Sequence, residues 1–187
     1  MFARFDTPLP RLPRWPRDLT PALRYRFGKT MDGQFYGISY FIVEGEIESL
    51  LLGLLPEALR PLFSCSYLMA NYHDIPPHID SGIQLSINYY VVTADATTSF
   101  YRVRQPGAAV ERLDNNDADS AAGLYRRQDL DVVGTVCVQP HEVWALDVTQ
   151  VHDVVSPAGQ GSREAYCLQS RAVSLGQLLA WAQRPQA

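Results

Sequence analysis

The sequence predicts a mainly β chain with flanking helices, and three observations carry that prediction. Short apolar segments rich in aromatic and β-branched residues recur at close intervals between residues 64 and 173. Turn-rich stretches separate most of them, as at residues 93–96 and 156–162. Helical periodicity shows clearly only twice, once early in the chain and once at Leu175–Ala182. Many short strands with few helices point to two stacked sheets wound as a double-stranded β-helix, the jelly roll. The helices then serve as supports outside the sheets, one early and one at the C-terminus.

In chain order, residues 1–30 carry five prolines (Pro8, Pro10, Pro13, Pro16 and Pro21) interleaved with Arg11, Arg14 and Arg17. Such a composition favours extended, polyproline-like backbone over helix, so these residues read as an N-terminal arm. Phe2, Leu9, Leu12 and Trp15 are its candidate anchors onto the domain. Residues 34–43 are dominated by aromatic and β-branched side chains and read as a mostly buried strand. Between residues 44 and 63 the period changes. Ile47, Leu50, Leu51, Leu54 and Leu55 fall at three- and four-residue steps, an amphipathic helix broken near Pro56 and resumed as far as Pro61. Strands are expected at 64–71, 78–81, 84–92, 98–104, 130–138, 142–147, 151–155 and 165–173, with a turn over 72–77. Residues 105–128 show no clear period and read as a flap over the site. The acidic run Asp114, Asp117, Asp119 lacks the spaced glycine and closing glutamate of a calcium loop. The expected organisation is the arm, 1–30, followed by one jelly-roll domain, 31–187.

The 187 residues suit one core. The formal net charge of −4 is uneven, with +5 on residues 1–30 and −9 on the rest. A body of that sign lacks the basic face of a nucleic-acid platform, so nucleic acid is not an expected partner, although the arm leaves an anionic partner open. Cys65, Cys137 and Cys167 are odd in number and widely spaced, which speaks against a disulfide framework and for buried free thiols in a reducing compartment. No apolar run approaches the ~18 residues of a membrane span, and no signal-peptide pattern opens the chain. The expectation is a soluble cytoplasmic protein whose oligomeric state is not legible.

The segment Pro76-Pro77-His78-Ile79-Asp80-Ser81-Gly82 is where chemistry concentrates. On a strand, His78 and Asp80 at i and i+2 share a face about 7 Å apart, within reach of one ion. A further histidine from a distant strand would complete two imidazoles and one carboxylate, a set that leaves positions open on Fe(II) for a co-substrate and dioxygen. His152 lies 74 residues after His78, and Arg163 follows it by 11. His73 and His141 could each supply the third ligand, but only His152 has an arginine at that distance, and the other two read as surface histidines.

This pattern, H-x-D, a distal His and an Arg some ten residues later, resembles the 2-oxoglutarate/Fe(II)-dependent dioxygenases over roughly residues 64–171. The resemblance implies a jelly roll with the metal between its sheets, and ligands His78, Asp80 and His152. It implies that Arg163 binds the far carboxylate of 2-oxoglutarate, a task that suits a bidentate, permanently charged guanidinium. Arg171 is the fallback. Tyr72 and Asn88 occupy regions where family members often place further donors for 2-oxoglutarate, while Tyr89 and Tyr90 read as aromatic core. An aspartate at position 80, where halogenating members carry a small residue, favours hydroxylation.

The resemblance thus implies a hydroxylase using Fe(II), 2-oxoglutarate and O2, acting on a small molecule or side chain and releasing succinate and CO2. A non-catalytic jelly-roll sensor that binds the metal or 2-oxoglutarate is the alternative, and a cupin-type metal enzyme would leave Arg163 without a task. Asp147 and Asp153 are candidates to hydrogen-bond the ligands, and Arg102 and Arg104 share one face of their strand, where solvent exposure is the expectation.

Overall fold

The computed structural model describes residues 1–6, 9–14, 23–31, 34–71, 74–80, 82–105, 111–113, 122–157 and 161–182. Strands β1 (Phe2–Phe5), β2 (Leu23–Met31) and β3 (Gln34–Ile42) precede helix α1 (Glu46–Leu52) and a 3-10 helix at Glu57–Leu62. Next come β4 (Ser64–Asn71), β5 (Ile75–Ile79), β6 (Leu85–Val92) and β7 (Thr97–Val103). After them run β8 (Glu111–Leu113), β9 (Ala122–Leu124), β10 (Leu130–Cys137) and β11 (Val143–Leu146). The chain closes with β12 (Val151–Val155), β13 (Ser162–Ser170) and α2 (Leu175–Ala182).

One sheet has seven strands in the order β1-β11-β6-β13-β4-β3-β2, the other six in the order β10-β7-β12-β5-β9-β8. From β4 to β7, and again from β10 to β13, every successive strand crosses to the opposite sheet. That alternation is the winding of a double-stranded β-helix, with β1, β2 and β3 widening one sheet and β8 and β9 the other. The fold is therefore the mainly β jelly roll that the sequence predicts, with one helix early and one at the end.

Two apolar layers hold it. Between the sheets, Tyr90, Phe100, Val136, Leu146, Ala165 and Cys167 pack at one end and Ile38, Ala70, Ile75 and Val154 at the other. Outside the seven-stranded sheet, Tyr67, Leu85, Tyr89, Tyr166 and Leu168 pack against Leu51 and Leu55 from the α1 region and Leu175 and Leu178 of α2. The alternation of β13 sets both layers: Ala165 and Cys167 face inward, Tyr166 and Leu168 outward. Tyr67 and Tyr166 meet edge to face, centroids 4.8 Å apart, a contact worth about 0.5–1.5 kcal/mol beyond the area buried.

Several expectations change. Phe2–Phe5 and Leu23–Met31 are strands rather than polyproline-like arm, because both stretches lack the prolines, which sit at positions 8–21. Leu12 is buried at 6 % exposure, Leu9 packs partly buried beside it, and the Phe2 ring lies 5.4 Å from Phe100. Trp15 is outside the described residues. Of the turn expected over 72–77, residues 72 and 73 lie outside the described residues, and Ile75, Pro76 and Pro77 belong to a strand. Its ladder with β12 meets only at Ile75 and His78, with a register slip between them, so neither proline is asked for an N–H. Residues 105–128 are not without regular structure: β8 and β9 pair with each other and β9 pairs with β5, opposite His78 and Ile79. Cys65 and Cys167 are buried, but Cys137 is exposed, because it ends an edge strand with an outward side chain. No described helix is long and apolar enough to cross a membrane.

Candidate metal centre

β5 and β12 run antiparallel in the six-stranded sheet and place His78 directly opposite His152. Their imidazole centroids are 4.3 Å apart. Asp80 follows just beyond the end of β5, where its N–H donates to the Val148 carbonyl at 3.1 Å. The candidate ligand atoms of His78, Asp80 and His152 all lie within 4.8 Å of one another. His78 Nε2 is 3.3 Å from Asp80 Oδ1.

Each imidazole is oriented by the chain just before it. His78 Nδ1 lies 2.8 Å from the Pro76 carbonyl, and His152 Nδ1 lies 2.9 Å from the Gln150 carbonyl. A carbonyl only accepts, so both Nδ1 atoms carry the hydrogen and both Nε2 atoms are left as lone-pair donors. The Phe100 ring stacks on His152 at 5.8 Å and 26°.

Electrostatics separate the two histidines. Burial pushes the His152 imidazole down to about 4, and the neighbouring His78 adds to the effect. Burial also opposes charge on His78, yet its bond to Asp80 carries it above the ordinary value. Asp80 is held below the usual carboxylate range by His78, against the burial that would raise it. His152 is therefore neutral, and the mutual bias of His78 and Asp80 marks a place that favours positive charge, which a metal cation held by both Nε2 atoms and the carboxylate would supply.

The same cavity, about 60 Å3, is lined from the facing sheet by Arg163, Asn88 and Tyr90, and from β7, beside β12 in the histidines' own sheet, by Thr98. Since a water needs roughly 10–15 Å3 measured this way, a ligand of several heavy atoms fits. Arg163 is 8 % exposed. Its guanidinium donates to Tyr90 Oη at 2.8 Å and Thr98 Oγ1 at 3.1 Å, both neutral. Among the described residues no carboxylate lies within ion-pair distance of it. Asn88 Nδ2 donates to the same Tyr90 oxygen at 3.2 Å, and Asn88 Oδ1 accepts from Ser86 at 2.7 Å. With two hydrogen bonds arriving at Tyr90 Oη, its own O–H is a further donor available to an anion.

His78, Asp80, His152, Arg163 and Asn88 thus line one cavity. Tyr72 and His73 lie outside the described residues. Arg171 is exposed in the turn after β13, and exposed His141 bonds Tyr89 Oη through Nδ1 at 2.9 Å. Asp153 points to the opposite face from His152, where Tyr101 and Arg127 donate to it at 2.7 and 2.9 Å. Asp147 binds Thr149 and the chain's N-terminal amine. Neither aspartate reaches the ligands, because strand alternation turns one away and a surface turn holds the other. Arg102 and Arg104 are exposed and pair with Asp131. Tyr90 and Thr98 are the residues that sequence reasoning missed. Tyr90 was accessible through its i+2 relation to Asn88, and Thr98 through its i+2 relation to Phe100, but nothing in the sequence brings Thr98 to Arg163.

No protein-family model and no curated protein sequence matches the chain. Among solved structures, the epimerase SnoN in complex with Fe3+, alpha ketoglutarate and nogalamycin RO is 12 % identical, with 88 % of this chain and 76 % of that one covered at TM-score 0.45. A cupin-2 domain protein of Rhodospirillum rubrum, Rru_A2000, is 8 % identical over 96 % and 90 % at TM-score 0.35. Hazelnut (Corylus avellana) vicilin is 10 % identical over 74 % of this chain, at TM-score 0.39. The chain spans 29 % of that vicilin and 28–37 % of the next four structures. The class of the protein rests on its own strand order and geometry: a double-stranded β-helix with a candidate His-Asp-His metal centre between its sheets.

Proposed function

We propose that this protein is an Fe(II)- and 2-oxoglutarate-dependent dioxygenase that hydroxylates a C–H bond of a small-molecule or side-chain substrate, releasing succinate and CO2. One observation carries the reading: a buried guanidinium whose partners among the described residues are neutral lines the same cavity as two imidazoles and a carboxylate. A buried cation without counter-charge is costly unless a ligand supplies the anion. A ligand bearing one carboxylate for Arg163 and a chelating end for a metal meets both needs, and 2-oxoglutarate is such a ligand.

The donor set fits Fe(II), since two imidazole nitrogens and one carboxylate leave positions open to exogenous ligands. When bound, the iron would supply dioxygen activation coupled to oxidative decarboxylation of 2-oxoglutarate. The chain's own residues bind and orient. His78, Asp80 and His152 hold the metal, while Arg163 and Tyr90 Oη donate to the far carboxylate. The carbonyls of Pro76 and Gln150 hold the imidazole rings in place, and Phe100 packs on one of them. Leu146, Val148 and Val154 line the cavity with apolar surface that keeps water out.

The test is anaerobic calorimetry of the Fe(II)-loaded protein with 2-oxoglutarate, followed by succinate release on admitting air with ascorbate. Saturable binding that depends on the metal, then succinate formation, is the expected result. Absence of metal-dependent 2-oxoglutarate binding ends the proposal.

A further inference from the structure

Arg163 and Glu164 are consecutive on β13 and face opposite ways, Arg163 into the cavity and Glu164 toward the outer surface of the seven-stranded sheet. The backbone at this point is held unevenly. On the β4 side, Ser162, Arg163 and Glu164 pair with Asn71, Ala70 and Met69. On the β6 side, pairing begins only at Glu164, opposite Val92, and slips before Ala165, opposite Tyr90. The cavity arginine therefore has a ladder partner on one side only.

A side-chain knot holds the residues on either side of Arg163. The Glu164 side chain is 4 % exposed and accepts from Arg14 Nε at 3.0 Å, from an Arg14 terminal nitrogen, from Tyr67 Oη at 2.6 Å and from Ser162 Oγ at 3.0 Å. Arg14 also reaches Ser162 Oγ at 3.4 Å, so it grips both neighbours of Arg163. Burial would raise the Glu164 carboxyl, but these donors hold it below its usual range. The segment leading to Arg14 is itself fixed: the Leu12 N–H donates to Tyr89 Oη at 3.0 Å and Tyr166 Oη donates to the Pro13 carbonyl at 2.9 Å.

We propose that Arg14 is a positioning residue for Arg163: gripping Glu164 and Ser162 from outside the sheet, it fixes the half-laddered start of β13 and so the guanidinium inside the cavity. The role rests on the dioxygenase reading, because it matters through the carboxylate that Arg163 receives. Residues that touch no ligand but lie in such a network alter coupling roughly two- to thirtyfold.

The experiment compares full-length wild type with Arg14→Ala, Arg14→Lys and Arg4→Ala. Arg4 also ties the N-terminal segment to the sheet, through Glu142 at 3.0 Å, but on edge strand β1. Three quantities are measured: affinity for Mn(II), affinity of the Mn(II)-loaded protein for 2-oxoglutarate, and amide hydrogen exchange at residues 162–165. Arg14→Ala is expected to weaken 2-oxoglutarate binding roughly five- to thirtyfold, leave Mn(II) affinity within about twofold, and speed exchange about tenfold. Arg14→Lys, which keeps charge but loses the two-point grip, falls between, and Arg4→Ala behaves as wild type. Unchanged exchange or unchanged 2-oxoglutarate affinity in Arg14→Ala overturns the inference, as does an equal effect from Arg4→Ala. If wild type itself does not bind 2-oxoglutarate, the functional reading falls, and the exchange comparison still decides whether Arg14 holds the strand.

Discussion

Replacing Arg163 by methionine separates a functional arginine from a structural one, because the two roles predict opposite signs. The guanidinium is buried, bonded to two neutral hydroxyls and, among the described residues, without a carboxylate. Without ligand, its desolvation is offset, among the described residues, by those two bonds and by the Tyr90 ring, whose centroid lies 4.8 Å from the guanidinium carbon, and an apolar side chain of similar length removes the penalty. The melting temperature of the metal-loaded, ligand-free protein should therefore hold or rise, by about 2–4 °C for each kcal/mol regained in a chain of this size. With ligand, the sign reverses. Losing one partner of a buried charge pair costs about 2–5 kcal/mol, so 2-oxoglutarate affinity should fall at least ~30-fold, at about 1.4 kcal/mol per decade. Scanning calorimetry reads the first effect and anaerobic titration calorimetry the second. Binding within about threefold of wild type, or a melting temperature lowered by more than about 5 °C, would refute the reasoning, since either makes Arg163 a part of the fold rather than of the site.

Further outcomes follow from individual contacts. His152→Ala removes a proposed direct ligand and should cost more than the ~100-fold reached by losing a supporting hydrogen bond, read by Mn(II) titration with electron paramagnetic resonance. Tyr90→Phe takes the shared acceptor from Arg163 and Asn88 and a donor from the carboxylate, so 2-oxoglutarate affinity should drop about tenfold with Mn(II) affinity unchanged. Glu164 is held below its ordinary value of 4.5, so its contribution to stability is full above that pH and is lost as pH falls through the lowered value. The gap between wild type and Arg14→Ala in urea unfolding should be about 1 kcal/mol at neutral pH and close in acid; a constant gap contradicts the ion pair. Alkylation of the native protein should modify Cys137 alone, since Cys65 and Cys167 are buried, with burial pushing the Cys65 thiol up to about 12. Mass spectrometry showing label on Cys167 would contradict the closed inner face.

Part of this protein was legible in single residues. Alternation alone sets Arg163, Ala165, Cys167 and Gln169 on one face of β13, and the spacing of His78 and Asp80 sets both within reach of one point, because strand geometry repeats every two residues. The recurrence of short strands was enough for the jelly roll, since sheets with one apolar face must stack. Three-dimensional pairing decided the rest. Pro76 and Pro77 look like a turn until a register slip beside β12 excuses their missing N–H groups. Residues 111–113 and 122–124 look like loop because strands of three residues carry too little periodicity to register. Tyr90 looks like core until Arg163 and Asn88 reach its oxygen from two strands. The sequence by itself determined which way each side chain points from its own strand, a local property of the backbone. Only the tertiary structure decided which strands face each other across the cavity, and hence that a guanidinium and a candidate His-Asp-His triad share one space, because that depends on long-range pairing that no local pattern encodes.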